Sequence, residues 1–133
     1  MIDGTPLKPV WDKIGARHHH GIAVPLASIR TEDSNGIGEF GDLCHLIDFC
    51  KKAHLDTIQL LPINDSGTDP SPYNALSSMA LHPIYLSTHA LPGWKKIWWE
   101  EYRELNKTQH VEYHKVLALK DKHLRLYFEE QFP

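Results

Sequence analysis

The sequence predicts an α/β fold in which two parallel strands are joined by a helix. Residues 21–29 form an apolar run of strand length, and residues 57–61 form a second run, which Pro62 closes. Between them, apolar residues recur every three or four positions over residues 41–54, a pattern that is typical of an amphipathic helix. Short connections between a strand, a helix and a strand predict a βαβ unit, whose two strands run parallel.

The residues of the first predicted strand and of the predicted helix support the βαβ interpretation. Residues 21–29 read GIAVPLASI, and such a near-continuous apolar run predicts a strand that is buried on both faces. The helix has Asp42 in its first turn and Lys51 and Lys52 in its last turn, an arrangement that complements the helix dipole. Its apolar stripe consists of Leu43, Leu46, Ile47, Cys50 and Ala53.

Outside this unit the sequence predicts loops and further helices. A polar lead-in is expected at residues 1–20, a glycine-containing loop at 30–40 and a turn-rich loop at 62–72. A short helix is expected at 73–81, and a short extended segment follows it at 82–86. Two amphipathic helices are predicted at 94–105 and 109–131, where charged and aromatic residues alternate with apolar positions.

The composition excludes several classes of function. The 133 residues include 14 basic and 17 acidic ones, for a formal net charge of −3, so a basic surface for nucleic acid or an anionic membrane is missing. No run approaches the roughly 20 apolar residues of a membrane helix, and the N-terminus lacks the apolar stretch of a secretory signal. We therefore expect a cytoplasmic protein with a neutral substrate and with neither nucleic acid nor membrane as a partner.

The cysteines and histidines predict neither a disulfide nor a metal site. Cys44 and Cys50 are six residues apart on the predicted helix, which points them in different directions, so we expect free thiols in a reducing compartment. His18, His19 and His20 are adjacent, and adjacent side chains do not converge on one ion. No metal and no cofactor is expected.

A glycine-rich segment in the first loop has the spacing of a dinucleotide-binding motif. Residues 36–41 read GIGEFG, which matches G-x-G-x-x-G. The motif follows a polar loop rather than a strand, and no acidic residue ends the next strand, so nucleotide binding is disfavoured. The alternative is that the glycines allow a tight turn into the helix.

Polar side chains follow the second predicted strand within a short distance. They are Asn64, Asp65, Asp69, Ser71 and Tyr73. Ligands of parallel α/β proteins bind at the carboxyl ends of the strands. Carboxylate, amide and hydroxyl groups suit sugar hydroxyls, and an aromatic ring suits the C–H face of a sugar. The same residue types also build ordinary surface turns, so a sugar site and a plain turn both remain open.

Four blocks of this sequence follow one another along the chain, namely GIAVPLASIR, SNGIGEFGDL, IQLLPINDS and SPYNALSSMALHPIYLS. In order and spacing these blocks resemble the opening of glycoside hydrolase family 77, the amylomaltases and disproportionating enzymes. Together they cover about residues 21–87, and the resemblance is weak beyond Trp94. The chain is therefore similar to the N-terminal part of a 4-α-glucanotransferase.

The resemblance implies an architecture and an activity. The fold would be a partial (β/α)8 barrel that begins at residues 21–92, and residues 93–133 would start an inserted helical subdomain. The parent enzyme would transfer segments of α-1,4-glucans, such as maltooligosaccharides, glycogen or starch, to the 4-hydroxyl of an acceptor glucan by retaining double displacement. That chemistry needs two carboxyl groups about 5 Å apart. In the family they lie further along the chain, so we expect no catalytic residue and no activity here.

The resemblance also assigns roles to residues of the second loop. Ser71, Pro72 and Tyr73 correspond to a Ser-Pro-Tyr motif whose serine and tyrosine line the subsite beside the scissile bond. Asn64 and Asp65 correspond to an Asn-Asp pair that holds the loop. For Tyr73 the alternative is packing under the helix predicted at 73–81. For the whole protein the alternatives are an α-glucan hydrolase of the same clan and a non-catalytic glucan-binding remnant.

Overall fold

Two strands lie side by side and parallel, as the sequence predicts. In the computed structural model, which describes residues 4–15 and 17–132, β1 (Gly21–Val24) pairs with β2 (Thr57–Leu60). The register joins Gly21 to Thr57 and Val24 to Leu60. Helix α2 (Asp42–Lys52) lies between the strands in sequence and packs against β2. The βαβ unit is therefore confirmed.

The first strand is shorter than the predicted 21–29. Pro25 follows Val24, and proline has no backbone N–H to donate to a neighbouring strand. The chain then forms a 3-10 helix at Leu26–Ser28, closed by the N–H of Ile29, which donates to the Leu26 carbonyl at 3.0 Å. This turn buries the Leu26 side chain in the core.

The prediction that the first strand is buried on both faces is wrong. Exposed and half-buried residues alternate along each strand, beginning with an exposed Gly21 and an exposed Thr57. Successive side chains of a strand point to opposite faces, so one face is partly covered and the other is open. The half-buried side chains are Ile22, Val24, Ile58 and Leu60. Among the described residues the sheet has two strands, which is too few to enclose either one.

The loop at residues 30–40 is held against the first turn of helix α2 by hydrogen bonds to Asp42. Asp42 is buried, and its carboxylate accepts hydrogen bonds from the hydroxyls of Thr31 at 2.6 Å and Ser34 at 2.9 Å. It also accepts one from the N–H of Glu39 at 2.7 Å. At the other end, His54 adopts a left-handed φ of 58° just beyond the helix.

Residues 73–81 do not form the predicted helix. The N–H of Leu76 donates to the Asp65 carbonyl at 2.7 Å, so it is bonded outside the segment. The N–H groups of Met79 and Ala80 donate to the Ser77 hydroxyl at 3.2 Å and 2.9 Å. A serine hydroxyl competes with helical hydrogen bonding in this way. Beyond it, the segment predicted to be extended contains a 3-10 helix at Pro83–Tyr85.

Among the described residues, three further α-helices lie outside the sheet unit in sequence. Helix α1 (Lys8–Ile14) lies in the lead-in, where the sequence analysis expected only a polar approach to the first strand. Helices α3 (Lys96–Asn106) and α4 (Tyr113–Gln131) confirm the two amphipathic helices predicted near the C-terminus. Within residues 4–15 and 17–132, no helix combines the length and the apolar character that crossing a membrane requires.

One hydrophobic core contains residues from both predicted segments of the chain, 21–92 and 93–133. Its buried members are Leu26, Ile37, Ile84, Tyr85, Tyr113 and Val116. The first two lie between β1 and α2, the next two lie in the 3-10 helix at Pro83–Tyr85, and the last two lie on α4. Helix α4 therefore packs directly on the loops that follow the strands.

Gly38 allows two backbone segments of this core to touch. A Cβ atom on Gly38 would lie 2.0 Å from the carbonyl oxygen of Leu26 and 2.7 Å from that of Ile29. Because both neighbours are backbone atoms, the chain itself would have to move. We predict that Gly38→Ala lowers the free energy of unfolding by about 2–3 kcal/mol, the upper range for overpacking, as measured by urea denaturation at pH 7.

Gly41→Ala is the matched control for this substitution. The nearest atom to its new Cβ would be the Ser87 hydroxyl oxygen at 2.9 Å, which is the end of a side chain that can rotate. We expect it to lower stability by less than half as much as Gly38→Ala. Equal losses for the two variants would contradict the close-approach explanation.

Candidate functional site

The polar loop after β2 is closed on itself by backbone contacts. Asn64 and Leu81 form an isolated antiparallel bridge, and the N–H of Asp65 donates to the Ala80 carbonyl at 2.9 Å. The Asp65 carbonyl in turn accepts the hydrogen bond from Leu76. The two ends of a segment of about 16 residues are thereby held together, and the loop projects from the carboxyl end of β2.

Two carboxylates hold the turns inside this loop. Asp65 accepts a hydrogen bond from the N–H of Gly67 at 2.8 Å. Asp69 accepts one from the Asn74 amide at 2.7 Å and one from the N–H of Ser71 at 2.8 Å. These two donors, the Asn74 amide first, lower the pKa of Asp69 below its ordinary value. Both aspartates therefore hold turns of the loop, and at Asp69 the two hydrogen bonds favour the ionised form.

A buried histidine and a tyrosine form the floor under the loop. His82 is 3% exposed, and its Nδ1 accepts a hydrogen bond from the N–H of Ile84 at 3.2 Å, which places its proton on Nε2. Nε2 lies 3.0 Å from the Gly67 carbonyl oxygen and 2.9 Å from the Tyr113 hydroxyl. Helix α4 thus supports the loop through Tyr113. The sequence alone does not reveal this pair, because no local pattern links His82 to a residue 31 positions away.

Ser71 and Tyr73 have side-chain hydroxyl groups that make no hydrogen bond to other described residues. Tyr73 is 69% exposed, so it does not pack under a helix. The main chain of Ser71 is fixed by Asp69 and by the N–H of Asn74, which donates to the Ser71 carbonyl at 3.3 Å. In the part of the chain that the structure describes, neither hydroxyl has a hydrogen-bond partner. Contact of these groups with a substrate stays a prediction.

An open groove of about 480 Å³ runs between this loop and α4. It is lined by Asp65, Gly67, Thr68, His82, Pro83, His114, Leu117, Ala118 and Asp121. Of the four predicted site residues, Asp65 is the one that reaches this groove. Asn64 lies at the base of the loop, and Ser71 and Tyr73 lie outside the lining.

The glycines of the first loop serve close packing. Gly36 has a left-handed φ of 82°, and a Cβ there would lie 2.9 Å from Leu105 and 3.0 Å from Val116. Side chains of α3 and α4 therefore occupy the space beside the glycine, where a nucleotide loop would hold a phosphate. This packing agrees with the interpretation of the glycines as turn residues.

A profile of the 4-alpha-glucanotransferase family, glycoside hydrolase family 77, matches residues 24–133 of this chain. The chain belongs to this family. The match extends beyond residues 21–87, where the resemblance in the sequence was clear, and includes both α3 and α4. The helical segment is therefore part of the family sequence as much as the sheet unit is.

Individual relatives agree with the family assignment. A 4-alpha-glucanotransferase of Chlamydia caviae is 43% identical over 133 residues, which cover 96% of this chain and 25% of the relative. That of Chlamydia pneumoniae is 44% identical over 133 residues, with 95% and 25% covered. A 4-alpha-glucanotransferase of Oryza sativa subsp. japonica is 46% identical over 76 residues, with 53% and 8% covered. The chain spans about a quarter of the length of its chlamydial relatives.

At the opposite end of the strands, this family 77 chain has a histidine clamp. His19 Nδ1 lies 2.9 Å from an Asp56 carboxylate oxygen, and Nε2 lies 2.8 Å from the Gly15 carbonyl oxygen. Both partners accept hydrogen bonds, so a doubly protonated imidazole satisfies them together. Asp56 also accepts from the N–H of His20 at 3.0 Å and pairs with Arg17 at 2.9 Å. One histidine of the triplet at 18–20 thus has a structural partner.

The clamp shifts both pKa values and links stability to pH. The Gly15 carbonyl, followed by the Asp56 carboxylate, raises the pKa of His19 above 6.5, and His19 lowers the pKa of Asp56 below 3.8. The contribution of His19 to stability is complete below pH 6.5 and is lost as pH rises through its raised pKa. The contribution of Asp56 is complete above pH 3.8 and is lost as pH falls through its lowered pKa.

We predict that His19 titrates above pH 6.5 in a histidine-resolved NMR pH titration. Asp56→Asn should bring its pKa down toward the ordinary value, because the carboxylate that favours the imidazolium is gone. In the described residues the His18 side chain makes no hydrogen bond or ion pair, so its signals serve as the internal reference for the effect of Asp56→Asn. A His19 midpoint that Asp56→Asn leaves unchanged would contradict the clamp.

Proposed function

We propose that this chain forms the first part of a 4-alpha-glucanotransferase. The complete enzyme would move segments of α-1,4-glucans, such as maltooligosaccharides, glycogen or starch, from a donor to the 4-hydroxyl of an acceptor by retaining double displacement. The observation that carries the proposal is a pair of hydroxyls, on Ser71 and Tyr73, that have no partner among the described residues and lie on the loop after β2 in a family 77 chain. That loop stands where parallel α/β enzymes build their sites.

The proposed architecture is a (β/α)8 barrel that starts at residues 21–92, with residues 93–133 starting an inserted helical subdomain. The parallel pairing of β1 and β2 around α2 is the repeating unit of such a barrel. The open face and the half-exposed side chains of the two strands are surfaces that the remaining strands and helices of a barrel would cover. We place the enzyme in the cytoplasm, where the free thiols of Cys44 and Cys50 suit a reducing environment.

The four residues of the loop would divide the work between binding and support. Ser71 and Tyr73 would hold hydroxyls of the sugar beside the scissile bond. Asp65 would keep the loop in shape through the N–H of Gly67, and Asn64 would do so through its bridge to Leu81. The loop needs no metal or cofactor for these tasks.

The catalytic carboxyl groups would come from other parts of the enzyme. A retaining mechanism needs one carboxylate as nucleophile and one carboxylic acid with a raised pKa as proton donor. The carboxylate of Asp69 accepts two hydrogen bonds that lower its pKa, which is the wrong direction for a proton donor. Asp65 is likewise engaged by a backbone N–H. We therefore propose that the 133-residue chain by itself is inactive.

Two other functions give different products in one assay. An α-glucan hydrolase of the same clan would pass the covalent intermediate to water and release shorter sugars only. A non-catalytic glucan-binding protein would leave the substrate unchanged. A transferase converts maltotriose into glucose and longer maltodextrins, so the products distinguish all three.

We predict that the complete enzyme disproportionates maltotriose and that Tyr73→Phe lowers its kcat/KM by about tenfold or more. A tenfold loss corresponds to about 1.4 kcal/mol, the size expected when one hydrogen bond to the transition state is removed. Because Tyr73 is 69% exposed and its hydroxyl has no partner among the described residues, the melting temperature should stay nearly constant.

Tyr127→Phe is the matched control. It also deletes one tyrosine hydroxyl, which donates to the Pro92 carbonyl at 2.9 Å and lies toward the C-terminal end of α4, whereas the contact of α4 with the loop is made by Tyr113 at its first residue. Its kcat/KM should equal that of the wild type. If Tyr73→Phe lowers the melting temperature while the kinetics of the folded fraction hold, Tyr73 has a structural role and the site assignment is wrong.

A further inference from the structure

A second pocket lies where the loop after β1 meets the start of α3. Its volume is about 280 Å³, and it is lined by Asp33, His89, Trp94, Lys96 and Trp99. Asp33 is far in sequence from the other four residues, so the pocket exists only in the folded chain. None of them belongs to the loop after β2, and the pocket is therefore distinct from the site proposed above.

The two tryptophans of this pocket are half-buried and are held by their neighbours. The ring of Trp94 packs edge-on against the ring of Trp98 at a centroid distance of 4.8 Å. The ring of Tyr127, on α4, lies 5.8 Å from the Trp94 ring between centroids. The guanidinium of Arg103 lies 5.6 Å from the centroid of the Trp99 ring. Aromatic surfaces that are already ordered lose little conformational freedom when a ligand packs on them.

The three polar residues of the pocket have hydrogen-bonding capacity that the protein does not use. In the described part of the chain, the side chains of Asp33, His89 and Lys96 make no hydrogen bond and no ion pair. Asp33 and Lys96 carry opposite charges and line one pocket, yet they remain apart. The adjacent Lys95, by contrast, forms an ion pair with Glu130.

We propose that this pocket binds one glucose residue of an α-glucan chain and acts as a secondary glucan site. A sugar hydroxyl both donates and accepts, so it can donate to the Asp33 carboxylate and accept from the Lys96 ammonium. The C–H face of the sugar packs on a tryptophan ring. Pockets for drug-sized ligands measure roughly 300–1,000 Å³, so a volume near the lower limit suits one sugar unit of a chain that continues into solvent.

The mixed charge of the pocket favours a neutral ligand. A phosphate-bearing ligand would meet the Asp33 carboxylate as well as the Lys96 ammonium, and repulsion would offset attraction. The identity of the sugar as an α-glucan rests on the proposed function. A glucan held here and at the catalytic site together would be retained longer than a short oligosaccharide that reaches only one site.

The test is a titration of the 15N-labelled chain with maltoheptaose, followed through the indole N–H signals of its four tryptophans. Single Trp→Phe variants assign the signals. We expect the Trp94 and Trp99 signals to shift and to saturate, while the signal of Trp11, 38% exposed on α1, stays in place. The same titration with cellopentaose should give no comparable shift. Absence of a shift at Trp94 and Trp99, or equal binding of cellopentaose, would overturn the proposal.

Two variants and one control make the assignment specific. Trp99→Ala should raise the Kd for maltoheptaose by about fivefold or more, in line with the loss of one aromatic contact. Asp33→Asn should weaken binding as well, and it removes only a charge from an exposed, unpaired side chain, so folding is preserved. Trp11→Ala should leave the Kd unchanged. An unchanged Kd in both pocket variants would place the binding elsewhere and refute the site.

Failure of this inference and failure of the proposed function give different results. If the complete enzyme leaves maltotriose unchanged while the chain still binds maltoheptaose through Trp99, the transferase proposal fails and the pocket stands. If maltotriose is disproportionated while maltoheptaose leaves Trp94 and Trp99 unperturbed, the pocket fails and the transferase proposal stands.

Discussion

The ammonium group of Lys120 is the point at which three parts of the chain meet. Lys120 and Glu39 are each 1% exposed, and the ammonium donates to the Glu39 carboxylate and to the carbonyls of Ile84 and Leu86, the last at 2.8 Å. Burial raises the pKa of Glu39 and lowers that of Lys120, and the attraction between the two charges opposes both effects. Either charge alone would be costly in this position, so each requires the other.

The position of α4 follows from this ion pair, and the two candidate sites depend on that position. Glu39 also accepts a hydrogen bond from Asn35 at 2.9 Å, which fixes the loop that carries Asp33 beside the tryptophan pocket. On the other side, Tyr113 of α4 supports the loop after β2 through His82. A polar network and one shared core thus position both loops, with little help from a sheet of two short strands.

The sequence predicts those features that depend on neighbouring residues. Apolar spacing locates α2, and the run that ends at Pro62 locates β2, because both signals are local. Pro25 ends β1 inside the apolar run, because proline has no backbone N–H to donate to the neighbouring strand. The helix expected at 73–81 fails because Ser77 and the distant Asp65 take its N–H groups. Lys120 lies 81 residues from Glu39, and only the folded chain shows that a lysine on an amphipathic helix is buried. The sequence locates the loop after β2, whereas the contact between His82 and Tyr113 beneath it joins residues 31 positions apart and is visible only in the folded chain.

A double-mutant cycle on Glu39→Gln and Lys120→Met measures the central interaction most directly. Each single variant leaves one buried charge without its partner and should lower the free energy of unfolding by about 3–5 kcal/mol. The hydrogen bonds of Lys120 to Ile84 and Leu86 are lost in both the single and the double Lys120 variants, so they cancel in the cycle. The double variant should be more stable than the sum of the single losses implies, by about 2 kcal/mol or more in urea denaturation. Losses that simply add would show that the pair does not hold α4 to the loops.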